Sequence, residues 1–248
     1  MLHRILIVTA VAAEADSVAA GLGLDAPETL SLPGGLTLGR AHPGGARVDV
    51  LVGGVGPAAV ATATGTALAY ASLAETGGVT PYDLVVSAGI AGGFAPHAPI
   101  GTVVVSDAIV AADLGADTPD GYLTVEELGF GRSTHLVPPS LTGPLSAALT
   151  AGGRPHTVAP VLTVSTVTGT AGRAAELAGR HPRAAAEAME GFGVAEAAAA
   201  YGVPVVEIRA VSNAVGPRDR AAWRIGEALA ALRQTFALLH PTVFVEAP

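Results

Sequence analysis

Glu14, Glu190, Arg209 and Asn213 are the residues whose types and placement can do chemistry in this sequence. Glu190 lies in the short acidic turn Met189-Glu190-Gly191, and Arg209, Ser212 and Asn213 end the apolar run Val203–Val211. A carboxylate can hold sugar hydroxyls and balance a developing cation, while a carboxamide presents donors and an acceptor to a heterocyclic base. Brought to one place, the two form a site for a sugar and a base. Each residue also has an ordinary reading. Glu14 suits the first turn of a helix, Arg209 can be a buried structural cation, and Asn213 can cap a turn.

Bringing them together requires a particular scaffold. The run Val203–Val211 is apolar enough to be covered on both faces and follows an Ala-rich helical stretch, which predicts a strand of an α/β sheet. In such sheets ligands sit beyond the carboxyl ends of the strands, where Arg209, Ser212 and Asn213 fall. Ile5–Val8 reads as a central first strand, so Glu14, just past its end and opening a helix to about Leu22, reaches the same edge. Leu36–Arg40, Val48–Val52, Leu84–Ser87, Gly101–Val110 and Val158–Ser165 supply further strands. Helices are predicted over Pro57–Ala74, with Pro57 at the first position, Pro139–Thr150 and Gly172–Arg180. A last helix over about Pro217–His240 places Ile225, Leu229, Leu232, Phe236 and Leu239 on one face. Residues 113–135 read as a polar loop. The expected fold is a single α/β domain over residues 1–248, with a central mixed, largely parallel β-sheet flanked by helices.

Composition narrows the function classes. The 248 residues are 50% hydrophobic and 14% charged, enough for a large core and against disorder. Net charge is −8, all thirteen fixed cations are Arg, and no basic-aromatic stripe appears, so no nucleic-acid partner is expected. There is no cysteine, hence no disulfide framework, which is compatible with a cytoplasmic protein. The run ILIVTAVAA after Arg4 is shorter than a usual signal peptide and is followed at once by Glu14 and Asp16; it reads as a strand. The uncharged span Val50–Ala74 is broken by Gly53, Gly54, Gly56 and Pro57, so no membrane segment is expected. The seven histidines show no spacing with carboxylates that would hold a metal, and no G-x-S-x-G elbow occurs.

Two glycine turns invite other readings. Gly53-Gly54-Val55-Gly56-Pro57-Ala58-Ala59 fits the dinucleotide pattern G-x-G-x-x-A, with Glu75 about twenty residues on. The turn follows a later strand, and Glu75 precedes Leu84–Ser87 instead of ending it, so the pattern is weak support for an NAD-dependent enzyme. In the second turn, Gly89, Gly92 and Gly93 let backbone approach a ligand closely, or serve only as turn residues.

The pair Met189-Glu190 and the strand end Arg209-Ala210-Val211-Ser212-Asn213 resemble the purine nucleosidase and nucleoside phosphorylase family. The likeness is to its methylthioadenosine/S-adenosylhomocysteine nucleosidase branch, which has Asp where this chain has Asn213. The resemblance covers Ile5 to about Asp219 and implies a nucleoside substrate, no cofactor, no metal and a homo-oligomer, a dimer or a multiple of it. It implies that Glu14 activates the attacking water, that Met189 and Glu190 hold the ribose hydroxyls, and that Thr168, Gly169 and Thr170 form the base-binding loop. Gly89, Phe192 and Ser212 join the substrate-binding set, with Phe192 read chiefly as core, and Arg209 holds Glu14 or the water unless it is structural. The branch carries a serine where this chain has Ile90.

Related phosphorylases bring an Arg-containing, Gly-rich loop to this edge for phosphate, whereas Thr9–Asp16 offers no cation, so the resemblance implies water as the nucleophile. Asn213, with Gly216-Pro217-Arg218-Asp219, points within the family to hydrolysis of futalosine, giving hypoxanthine and dehypoxanthine futalosine in menaquinone synthesis. Arg132 is a candidate partner for the substrate's 5′ carboxylate. An adenine nucleosidase, a purine nucleoside phosphorylase and a non-catalytic nucleoside-binding protein are the alternatives.

Overall fold

The uninterrupted apolar runs become buried strands, and the glycine and proline clusters between them become turns. The computed structural model describes residues 4–24, 27–74 and 82–244. In chain order the strands begin with β1 (Arg4–Thr9), β2 (Glu28–Ser31), β3 (Thr37–Ala41), β4 (Arg47–Val52), β5 (Leu84–Gly93) and β6 (Val103–Ala111). They continue with β7 (Gly115–Thr118), β8 (Gly121–Thr124), β9 (Thr134–Leu136), β10 (His156–Thr163), β11 (Ala186–Ala188) and β12 (Val205–Ala214). The helices are α1 (Ala12–Gly21), α2 (Pro57–Ala74), α3 (Pro139–Ala151), α4 (Ala171–Arg180), α5 (Gly191–Ala200) and α6 (Ile225–Leu239).

The main sheet has the order β11-β10-β6-β12-β5-β1-β4-β3-β2, with β9 added to β6. Its middle, β12-β5-β1-β4, is parallel throughout. Elsewhere the sheet is mixed: β12 meets β6 antiparallel, while β6, β10 and β11 run parallel. β11 also pairs antiparallel with β5, so β5, β12, β6, β10 and β11 close into a ring. Helices α1, α3 and α6 pack together, and α2 packs with α5. Ile5, Leu6, Ile7 and Val8 of β1 are at most 1% exposed, as a strand covered on both faces requires. No helix among the described residues is long and apolar enough to cross a membrane.

The structure departs from the sequence-based expectation at β11, which was not predicted, and in three further places. The 113–135 loop contains the hairpin β7–β8, closed by Gly121 at φ 123° and by Thr118 Oγ1 donating to the Gly121 carbonyl, and also β9. β2 is an additional edge strand. The last helix starts at Ile225, not near Pro217: Asp219 accepts the Ala221 N–H at 3.1 Å and closes one 3-10 turn, a local bond that competes with the helix. Its buried side is accordingly Ala228, Ala231, Leu232, Thr235, Phe236 and Leu239, and Ile225 is exposed.

Candidate active site

The carboxyl ends of β1, β5, β10 and β12, together with β11 and the turn after it, enclose a cavity of about 360 Å³. Of the residues singled out from the sequence, Glu14, Thr168, Met189, Glu190, Ser212 and Asn213 line it. This is the edge where an open α/β sheet places its ligands.

Glu14 stands in the first turn of α1 and is 4% exposed. Its Oε2 accepts the N–H groups of Ala10 (3.0 Å) and Val11 (3.3 Å), so the helix-start role is real. Its Oε1 accepts the Ile90 N–H from β5 at 2.9 Å. Three of about four lone-pair positions are thus used, leaving one for a water. Ile90, whose side chain has no donor, contributes only its backbone N–H to Glu14.

Gly89 makes this placement possible. A Cβ there would fall 2.5 Å from both Glu14 Oε1 and Arg209 Nη1, closer than atoms can approach. Gly89 therefore lies beneath the cavity, as a spacer between two charged side chains.

Glu190 caps α5 and is 6% exposed. Its Oε1 accepts the Gly56 N–H at 3.2 Å, its Oε2 accepts the Met189 N–H at 3.3 Å, and Oε2 also forms an ion pair with Arg209 Nη2 at 3.2 Å. The first glycine turn, with Gly54 and Gly56 both near φ 90°, thus aims a donor at Glu190. Glu75, the acidic partner of the dinucleotide reading, lies outside the described residues.

Arg209 is 1% exposed and does not line the cavity. Its Nε donates to Glu207 Oε1 at 2.7 Å and its Nη2 to Ser87 Oγ at 3.2 Å. Burial works against its charge, but Glu207, Glu190 and Glu14 together outweigh burial and keep it cationic. Its ion pairs go to Glu190 and Glu207, as a structural cation's would, and Glu14 acts on it through its charge.

Asn213 owes its position to a β-bulge. Val211 pairs with Ala91 and Asn213 with Gly92, so Ser212 is the extra residue. Ser212 Oγ is 3.2 Å from the Ala91 carbonyl and 2.8 Å from Asn213 Oδ1, and its single proton serves one at a time. Asn213 Nδ2 donates to the Ala214 carbonyl at 3.0 Å. One amide hydrogen and one lone pair of Asn213 remain for a ligand.

Four of the expected residues lie elsewhere. Phe192 is 8% exposed, its ring is 5.3 Å from that of His135, and it borders a different cavity with Arg132 and Glu196. Arg132 itself is bound to Glu196 at 2.8 Å. The Gly169 carbonyl accepts the Arg218 N–H at 3.2 Å, and Thr170 caps α4 by accepting the Arg173 N–H at 3.2 Å; neither lines the cavity.

The sequence reading did not find Glu187, Glu207 or Trp223. Glu187 is 5% exposed at the cavity wall and accepts both the N–H of Thr168, at 2.8 Å, and its Oγ1 hydrogen. Burial pushes its carboxyl above the usual range despite those donors. Its signal was available: a lone carboxylate among alanines, three residues before Glu190. Trp223 borders the mouth, with the Arg218 and Arg220 guanidinium carbons 5.2 and 5.9 Å from its ring centroid.

A mixed α/β sheet flanked by helices, with a cavity lined by acidic and polar side chains at its carboxyl edge, is the architecture of a nucleoside phosphorylase-like protein. The chain belongs to the phosphorylase superfamily, whose family model it matches over residues 4–240. It is 59% identical over 240 residues to a futalosine hydrolase of Streptomyces coelicolor, covering 97% of this chain and 96% of that one. A futalosine hydrolase of Acidothermus cellulolyticus is 45% identical over 241 residues, 94% and 89% of the two chains. The fold is shared with a 5'-methylthioadenosine/S-adenosylhomocysteine nucleosidase of Neisseria meningitidis, at TM-score 0.79 and 18% identity over 96% of this chain and 98% of that one. A futalosine hydrolase mutant of Helicobacter pylori gives TM-score 0.80 at 17% identity, with the same coverage.

Proposed function

We propose that this chain is an N-glycosidase that hydrolyses futalosine to hypoxanthine and dehypoxanthine futalosine, in menaquinone synthesis. The observation that carries the reading is the convergence of Glu14, Glu190 and Asn213 on one cavity, in a chain whose two long relatives are both named futalosine hydrolase. The C1′–N9 bond breaks toward a ribosyl cation, with the electron pair leaving on the base. Glu190 grips the 2′ and 3′ hydroxyls and its negative charge favours that cation. Arg209 is a positioning residue, since it acts by holding Glu190. A water on the open side of Glu14 adds to C1′ and gives its proton to the carboxylate, general-base help worth roughly 10²–10⁴-fold. Asn213 donates to O6, and its carbonyl oxygen accepts N7–H once the departing hypoxanthine has taken up a proton from solvent at N7.

Among the described residues the cavity lining holds three carboxylates, Glu14, Glu187 and Glu190, and no cationic side chain. An anionic phosphate nucleophile is repelled there and neutral water is not. The 5′ aromatic carboxylate of the substrate extends to the mouth, where Trp223 offers an aromatic face and Arg218 and Arg220 offer positive charge. The chain also reads as a cytoplasmic homo-oligomer. Exposed Phe130 (82%) and Leu136 (81%) are apolar surface of the kind that a second subunit covers.

Release of free base from futalosine, inosine, methylthioadenosine and aminofutalosine, each with and without phosphate, tests the reading. Fastest release of hypoxanthine from futalosine, indifferent to phosphate, is expected. Preference for an adenine nucleoside, or binding without release, would overturn it.

A further inference from the structure

Glu187 and Asn213 occupy one row of the sheet. Gly92 of β5 pairs in register with Glu187 of β11 on one side and with Asn213 of β12 on the other. Residues in one row project to the same face, and two strand spacings separate their Cα atoms by about 10 Å. Gly92 has no side chain to fill the gap: a Cβ there would lie 2.9 Å from Val215 Cγ2 and 3.3 Å from Asn213 Nδ2. The result is a slot with a carboxamide on one wall and a carboxylate on the other.

The hydrogen-bond polarity of the Glu187 wall is set by Thr168. Both donors of Thr168, its N–H and its hydroxyl, point at the Glu187 carboxylate. Two of about four lone-pair positions on Glu187 are thereby filled, and the donors of the Thr168 loop are spent. What this wall offers a ligand is acceptor capacity. No cation is among its hydrogen-bond partners, and burial favours any donor that relieves the charge.

We infer that Glu187 is a specificity-determining residue that accepts the N1–H of a 6-oxopurine held by Asn213 across the slot. This rests on the reading of the cavity as a nucleosidase site. Along the edge of hypoxanthine, N7 and O6 face Asn213 and N1–H comes next, as a donor. Adenine presents a bare acceptor at N1, which a carboxylate repels. Donation of N1–H to an anion also raises electron density in the ring and makes N7 more basic, so the departing base takes up a proton there more readily. Asn213 and Glu187 thus select at adjacent positions of the same edge.

The test is Glu187→Gln. The amide keeps an acceptor for the Thr168 N–H and turns an N–H toward the slot, which suits N1 of adenine. A hydrogen bond to a charged group sets the scale: kcat/KM for futalosine relative to aminofutalosine should fall roughly 10–100-fold in the variant. An equal change on both substrates would overturn the inference and leave Glu187 as an anchor of the Thr168 loop, while hypoxanthine release by the wild type would still stand. A wild type that releases no hypoxanthine from futalosine would remove the proposed function itself. Should the variant fail to fold, the wild type decides: it should bind hypoxanthine at least roughly tenfold more tightly than 1-methylhypoxanthine. Equal affinity for the two overturns the assignment.

Discussion

Arg209 Nη2 lies 3.2 Å from Glu190 Oε2 while its Nε lies 2.7 Å from Glu207 Oε1, so one buried guanidinium holds two carboxylates in place. Only Glu190 reaches the cavity. Glu207 is fully buried, and its Oε2 has no hydrogen-bond partner. Removing the cation leaves both acids without their counter-charge in a poorly solvated interior.

Arg209→Ala should therefore destabilise the fold by about 3–5 kcal/mol, the usual cost of breaking a buried pair from one side. Urea denaturation of variant and wild type measures it. A loss below about 1 kcal/mol would mean that Glu207 is held neutral and does not need the guanidinium.

Asn213→Asp puts an acid of reference pKa about 3.9 against O6. Futalosine turnover should fall by roughly 10²–10³-fold at neutral pH, as for other donors that stabilise developing charge. Part of it should return at lower pH, where the protonated acid can donate to O6. Activity on aminofutalosine should improve relative to futalosine. An unchanged kcat/KM ratio would reduce Asn213 to a turn residue.

The 5′ carboxylate separates two arginines. Arg132 is committed to Glu196 beside another cavity, so Arg132→Ala should change kcat/KM for futalosine and inosine equally. Arg218→Ala should weaken futalosine alone. Because Arg218 is exposed, the effect should be up to about fivefold and should shrink in high salt. A futalosine-selective loss in Arg132→Ala instead would contradict this placement.

Burial raises the Glu187 carboxyl above its ordinary value of 4.5 in the folded protein. A raised folded-state pKa means stability that is fully present below the unfolded value and lost as pH rises through the folded one. Glu187→Gln does not titrate, so its melting temperature relative to wild type should climb with pH above about 4.5, by the equivalent of about 1.4 kcal/mol per unit of raised pKa. Thermal unfolding of both proteins across that range checks the sign. A flat or falling difference would mean that the Thr168 bonds outweigh burial.

How much of this was legible in the sequence depended on whether a residue's role is local. Apolar runs such as Ile5–Val8 and Val203–Val211 announce buried strands by themselves, and strand ends announce the site edge. Glu14 and Asn213 stand next to such ends, Glu190 was singled out in the acidic turn Met189-Glu190-Gly191, and all three line the cavity. Arg209 was found as a residue, but its ion-pair partners were not legible, because Glu190 and Glu207 meet it only through the sheet and the turn before α5. Glu187 was passed over because β11 is three residues long and its row partners, Gly92 and Asn213, are distant in the chain. Trp223 was read into a helix that Asp219 breaks with one side-chain bond.

The central claim is that Glu14 activates water to cleave a 6-oxopurine nucleoside. Hypoxanthine release from futalosine in phosphate-free buffer, followed in single turnover for wild type and Glu14→Gln, tests it most directly. The account predicts full release by the wild type and a rate lower by roughly 10²–10⁴-fold in the variant, with substrate binding retained. Wild-type-like release by Glu14→Gln, or release by the wild type only when phosphate is added, would contradict it.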